Sequence, residues 1–333
     1  MTSTACVLAP LNSLDGYQLI VDAGARELYV GFYSPAWEER FGKTEEMNRL
    51  SGFSTGANAL TLADVVKLAG WCARDGVKLF VTFNASYYSP EGSAFIAEQF
   101  LPALAKAQIA GIIVSSTQLI EHALALGIPC VASTLCDITN HLIAQEYRNL
   151  GVSRIVLPRH LSLDEIEEII DRVPDVEYEV FAMRNGCVFA DSHCLGAHRN
   201  GRPSLCRSLR EGTFWECPTG ADAAKLSMQV MTNEIWSSQF HQRTCGLCAT
   251  KRLIDAGACS FKVVGRCDDP ADIAESVRLL AGALDAAAHS ANDRELIAQI
   301  ERPQPLDEYC GRGNSMSCYY AQSTFADPKS GMR

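Results

Sequence analysis

Six cysteines stand between residues 187 and 248: Cys187, Cys194, Cys206, Cys217, Cys245 and Cys248. Thiolates are soft metal ligands, and four of them suit a tetrahedral zinc ion or an iron–sulfur cluster. Zinc sites favour close pairs, and within this group Cys245 and Cys248 alone have the C-x₂-C spacing. The wider series Cys187, Cys194, Cys206 fits more comfortably around a larger cluster. Burial as inert thiols is the third use. Disulfides are not expected. The start of the chain, Met1-Thr-Ser-Thr-Ala-Cys-Val, lacks a basic region followed by a hydrophobic stretch, and the longest apolar runs are strand-sized. A cytoplasmic protein without membrane insertion is therefore expected, and that compartment keeps its 14 cysteines reduced.

Other groups could work beside the thiols. His193 and His198 flank Cys194 and are placed to donate protons or to hydrogen-bond cluster sulfurs. Arg159 and Arg266 each follow an apolar run, and an arginine fork binds a carboxylate in a bidentate way. A surface arginine paired with a nearby acid is the blander reading of each. Asn84 is a further polar candidate. Glu179 and Lys262 sit within apolar runs whose alternation turns both inward, so an ion pair near the active-site end is expected. Formal net charge is −10, with no basic stripe for a phosphate backbone, which speaks against nucleic acid as a partner and for a small molecule. No P-loop and no dinucleotide G-x-G-x-x-G loop is present.

These residues need a scaffold. Strand-like apolar runs occupy 6–9, 27–31, 78–83, 110–114, 129–133, 154–158, 177–182 and 260–265. Near-continuous hydrophobicity is how parallel strands covered on both faces read. Amphipathic stretches at 61–74, 95–107, 140–149, 163–172 and 270–287 alternate with them, and Ser162 is a plausible N-cap. Eight strand–helix units predict an α/β fold, a (β/α)₈ TIM-like barrel over residues 1–290, with an open doubly wound sheet as the alternative. A cysteine-rich insertion, 183–247, with a helix expected at 223–237, follows the seventh strand. A Pro-punctuated polar tail, 291–333, carries Cys310 and Cys318. Loops after the strands of such a barrel build its active-site face, where Arg159, Arg266 and the insertion would meet.

Order and spacing of motifs along residues 6–267 resemble the collagenase-like peptidases of unassigned catalytic type, family thirty-two. Leu8-Ala-Pro-Leu-Asn-Ser-Leu14 and Asp22-Ala-Gly-Ala-Arg-Glu-Leu-Tyr-Val-Gly31 look like that family's opening strand–helix–strand. Ser133-Thr134, Ile138-Thr-Asn140 and Arg154-Ile-Val-Leu-Pro-Arg159 look like its middle. Glu179-Val-Phe181 followed by Cys187 and Cys194 is similar to its most specific motif. Cys248, Leu253-Ile-Asp-Ala-Gly257, Ser260-Phe-Lys262 and Gly265-Arg266 resemble its close.

The resemblance implies an oxygen-independent hydroxylase holding a 4Fe-4S cluster. Relatives of that kind modify a tRNA uridine, an rRNA cytidine or a ubiquinone precursor, with prephenate as oxygen source and, for the ubiquinone members, a paralogous subunit as hetero-oligomeric partner. Carried over, the ligands would be Cys187, Cys194, Cys206 and Cys248, with Cys217 and Cys245 as alternates. Catalytic roles fall to His193, Glu179 and Lys262, and substrate binding to Arg159, Arg266 and Asn84. Ser115-Ser116, Leu135 and Val264 depart from the family pattern. RNA-modifying relatives tend to carry an added domain, so a small aromatic or quinone-like substrate is expected here. A peptidase would need a nucleophile or a catalytic metal. Gly52-Phe-Ser54-Thr-Gly56 fits G-x-S-x-G, but polar loop rather than a strand precedes it, and no H-E-x-x-H is present. Protease activity is not expected.

Overall fold

The computed structural model describes residues 5–51, 55–187, 190–194, 244–301, 303 and 318–320, without the side chains of 55, 193 and 194. Eight strands close into a barrel: β1 Cys6–Pro10, β2 Glu27–Val30, β3 Lys78–Phe83, β4 Gly111–Val114, β5 Cys130–Ala132, β6 Arg154–Val156, β7 Glu177–Met183 and β8 Ser260–Val263. All eight pairings are parallel, and β8 closes on β1. The expected (β/α)₈ barrel is the fold. The eight expected strands are all present, with ends within two residues of the expected ones.

Helix signals explain most of the crossovers. Thr61 and Asp64 form a capping box for Leu62–Asp75, which ends at Gly76 in the left-handed conformation. Ser162 caps Leu163–Arg172 as expected, in a box with Glu165. The expected helix at 95–107 is instead two, Pro90–Gln99 and Leu101–Lys106. Ser89 and Pro90 supply an earlier start, and Pro102, lacking an N–H, sits in the first turn of the second helix. A two-stranded ladder, Phe32–Tyr33 with Leu60–Thr61, lies beside the barrel and was not foreseen. The long helix Pro270–His289 packs on β1, β7 and β8. Among the described residues no helix is long and apolar enough to cross a membrane.

The register decides what the barrel encloses. Paired residues of adjacent strands share a face. The pairs Leu8–Lys262, Leu8–Glu27, Arg154–Glu177 and Val156–Glu179 therefore place an acid–base cluster inside. Arg154 donates to both Glu27 oxygens at 2.7 and 2.8 Å, and to Glu177 at 2.9 and 2.7 Å. Lys262 Nζ lies 2.6 Å from Glu179 Oε1, with its ammonium 4.1 Å from the centre of the Tyr29 ring. The pair is the one read from strand alternation. It lies inside the barrel, as expected, with Arg154 3.7 Å from Glu179. Burial alone would raise the Glu27 carboxyl. Hydrogen bonds and charge from Arg154, with a 2.7 Å bond from Ser260, hold it below the usual range.

Removing one partner leaves a buried charge, at a cost of about 3–5 kcal/mol. Glu179→Gln and Lys262→Met are each expected to destabilise, and the double variant to lose less than the sum. Denaturant unfolding of the four proteins checks this, and additive losses would show that the pair carries no coupling.

Candidate active site at the cysteine-bearing mouth

The end of β7 and the start of β8 are where the barrel opens. Register slips between Lys262 and Val263, a bulge that re-aims the backbone at the rim. Val264 N then bonds Met183 O, and the Ala182 carbonyl is taken by Gly246 N at 2.8 Å. Arg184 N donates to Thr244 O at 2.7 Å, and Met183 and Cys245 form an antiparallel bridge. The segment bearing Cys245 and Cys248 thus seats on backbone groups that the bulge leaves outside the ladder. Cys248 is buried on the short turn Leu247–Ala249, and Cys187 is half-buried just beyond β7.

A second anchor holds the loop between Cys187 and Cys194. Asp191 is buried and receives Arg159 Nε at 2.9 Å, Thr134 Oγ1 at 3.0 Å and Arg49 Nη2 at 2.7 Å. Burial would raise its carboxyl, but Arg159 and Arg49 together hold it far below the usual carboxylate range. Arg159 also donates to Asn185 O at 2.6 Å and stacks 4.2 Å over the Phe181 ring. The expected role of Arg159 on the mouth face is therefore joined to a fastening one: its Nε is committed to the cysteine loop.

Arg266 is different. It is buried, and its fork reaches Thr82 Oγ1 at 2.9 Å, Asn48 Oδ1 at 3.1 Å and Asn58 Oδ1 at 3.3 Å, all neutral acceptors. Among the described residues no carboxylate lies within ion-pair distance of it. Burial pulls its guanidinium down to about 10, still charged at neutral pH. Two glycines make room. A Cβ at Gly31 would stand 2.2 Å from Arg266 Nη1 and 2.0 Å from Asn58 Oδ1. Gly265 has φ +135°, a conformation that side chains disfavour. Asn84 accepts from Arg49 N at 3.3 Å and donates to Ser133 Oγ at 3.4 Å, beside this group at the mouth.

Arg159, Arg266, Asn84, Glu179, Lys262, Cys187, Cys245 and Cys248 thus belong to the barrel interior or its mouth. Cys206, Cys217, His198, Ser54 and the helix expected at 223–237 lie outside the described residues. The backbone of His193 and Cys194 is a 3₁₀ turn, Asp191–Cys194, whose side chains at 193 and 194 are likewise outside them. Sequence reasoning missed Asp191, Asn48, Asn58 and the tail. Asp191 carried a signal, an acid between two cysteines in a loop facing two arginines. Cys318 pairs with Cys245 in a parallel bridge, and Tyr319 and Tyr320 donate to Arg184 O and Phe181 O.

A family model, "Peptidase family U32", matches residues 12–325. The chain belongs to that family. Its relatives include tRNA hydroxylation protein P1 of Bacillus subtilis, 24% identical over 320 residues, covering 94% of this chain and 70% of that protein. A collagenase of Porphyromonas gingivalis is 23% identical over 312 residues, with 88% and 68% covered. A 23S rRNA 5-hydroxycytidine synthase of Escherichia coli is 29% identical over 223 residues, 66% of this chain and 32% of that protein.

Thiols are the donor type that zinc and iron–sulfur clusters take. Thiols from separate segments reach one rim, and Cys187 is close enough to Arg159 to act on its charge. Among the described residues no three His, Cys, Asp or Glu side chains gather closely enough for one metal ion. Cys72 and Cys130, on a helix and a strand, are pushed up by burial to about 11 and 12 and are kept from being thiolates.

Asp191→Asn keeps the shape but strips two buried arginines of their counter-charge. A loss of about 3 kcal/mol or more in unfolding free energy is expected, together with faster proteolytic nicking near residue 191. Wild-type behaviour in both would show that the clamp does not hold the loop.

Proposed function

We propose that the protein is an oxygen-independent hydroxylase that binds a 4Fe-4S cluster at the β7–β8 mouth and acts on a small aromatic or quinone-like molecule. The observation carrying this reading is the seating of cysteine-bearing segments on the same rim as Arg266, a buried cation with neutral partners. Family membership and the hydroxylation proteins among the relatives support the reaction class. Net charge of −10 supports a small organic substrate over a polyanion.

In this proposal Cys187, Cys194, Cys206 and Cys248 hold the cluster, with Cys217 and Cys245 as alternates. When bound, the cluster supplies one-electron chemistry. Hydroxylation replaces a ring hydrogen by a hydroxyl, a two-electron oxidation. Without dioxygen it needs either water with a separate electron acceptor or an organic oxygen donor that is itself reduced by two electrons as it gives up the oxygen; the proposed route is the donor. Prephenate is the donor we propose, because Arg266 offers a desolvated guanidinium to one carboxylate while the Arg159 edge not bound to Asp191 or Asn185 faces the other. Asn84 orients the ring from beside Arg49 at the same mouth. Glu179 holds Lys262 on Oε1, and its Oε2, with no hydrogen bond among the described residues, lies 3.7 Å from Arg154; Glu179 and Lys262 are the catalytic pair of this reading. His193, next to Cys194 in the chain, is the proton donor of this reading. Water is excluded below by the packed Tyr29, Phe80 and Phe181.

Names of the relatives favour a second reading, an RNA base as substrate, and the collagenase among them a third. Protein purified without oxygen should contain iron and acid-labile sulfide, and Cys187→Ala, Cys194→Ala and Cys248→Ala should each lose most of it. Full iron in all three variants would refute the cluster assignment. Mass analysis should find an aromatic product heavier by one oxygen when prephenate is supplied without dioxygen. An oxygenated nucleoside in digested RNA would select the second reading. Casein or collagen cleavage abolished by Ser54→Ala would select the third. Arg266→Gln should weaken prephenate binding at least ten-fold, about 1.4 kcal/mol, in calorimetry.

A further inference from the structure

The tail returns to the mouth and becomes part of it. Phe181 O would be the next acceptor for β6, but β6 ends at Val156 and its last ladder-like bond is Leu157 N to Glu179 O. Tyr320 Oη takes the Phe181 carbonyl instead, at 2.7 Å. Tyr319 N donates to Cys245 O at 3.0 Å, its hydroxyl to Arg184 O, and its ring stacks on Phe181. Both tyrosines are buried. Contact with the cysteine segment is tight: a Cβ on Gly246 would stand 2.9 Å from the Tyr320 ring.

This docking sets the place of Cys318. It is the bridge partner of Cys245, and paired residues present side chains on one face. Cys318 thus stands beside Cys245, on the segment that carries Cys248 and against the end of the strand that leads to Cys187, so that four cysteines come from three segments to this rim. Cys318 is half-buried among them, whereas Cys267 is exposed. We propose that Cys318 is the fourth thiolate ligand of the cluster, in the place given above to Cys206, beside Cys187, Cys194 and Cys248, and that it ties the tail to the barrel through the metal centre. The inference rests on the cluster reading above and adds a ligand from outside the cysteine-rich insertion.

Anaerobically purified wild-type protein, Cys318→Ala and Cys318→Ser are compared for iron, acid-labile sulfide and the electron paramagnetic resonance of the reduced cluster. Cys318→Ala should lower iron at least two-fold. Cys318→Ser, which offers an oxygen donor of the same shape, should lower it or shift the g values. In loaded wild-type protein, iodoacetamide should spare Cys318 while labelling Cys267, and should label Cys318 after the iron is removed by chelator. That arm does not depend on the variants folding. Wild-type iron and g values in both variants, or equal labelling of Cys318 in loaded and stripped protein, would overturn the proposal. Wild-type protein devoid of iron and sulfide would instead overturn the cluster reading itself.

Discussion

A guanidinium carried from water into a barrel has to be given hydrogen-bond partners, and Arg154 meets three carboxylates. Glu27 comes from β2 and Glu177 and Glu179 from β7, so one side chain on β6 spans the interior. Glu179 passes the connection to Lys262 on β8, and Glu27 to Ser260 on the same strand. A one-residue slip of any of these strands would turn its charged residues toward the helices and strand the others without partners. Such a network adds little net stability over a well-packed apolar core. Its physical effect is to select a single register for β2, β6, β7 and β8. Positions of everything at the mouth follow from that register.

Above this layer the charges divide by partner. Arg159 and Arg184 are buried and each bound to an aspartate, Asp191 and Asp268, belonging to a neighbouring loop. They fasten the irregular segments after β7 and β8 to the rim. Arg266, equally buried, is surrounded by amide and hydroxyl oxygens. An ion pair already made has little left to offer a ligand, because displacing the carboxylate costs what the new contact gains. A desolvated cation with neutral neighbours keeps its field for an incoming anion. The same residue type therefore serves two purposes within one face, and the difference lies in whether a carboxylate stands beside it.

The strand pattern was legible because each β-run is buried on both sides, which leaves a continuous apolar signature. Glu179 and Lys262 were legible for the related reason that charges inside such runs must point inward and find each other. Arg154 began a strand in the same reading, yet its partner Glu27 lies 127 residues away, and that closure across the barrel has no local mark. The stretch expected as one helix at 95–107 is two because Pro102 falls in the first turn of a second helix. Ser133 and Thr134 were quoted as a motif, but the bond from Thr134 to Asp191 depends on loops converging in space.

What stayed hidden at the site is due to the bulge between Lys262 and Val263. An ideal ladder would have consumed the carbonyl of Ala182, and the segment at Cys245 would have had no edge to join. By skipping one residue, β8 leaves that carbonyl to Gly246, and the early end of β6 leaves the Phe181 carbonyl to Tyr320. Buried backbone groups have to be paired, so these two vacancies in the ladder are what draw a distant loop and a more distant tail to one place. Sequence periodicity reports which residues are strands, but not where a ladder fails. The cysteines were visible as a group in the chain, while the place where the segments of Cys245 and Cys318 dock is dictated by two carbonyl groups on β7 that no residue type announces.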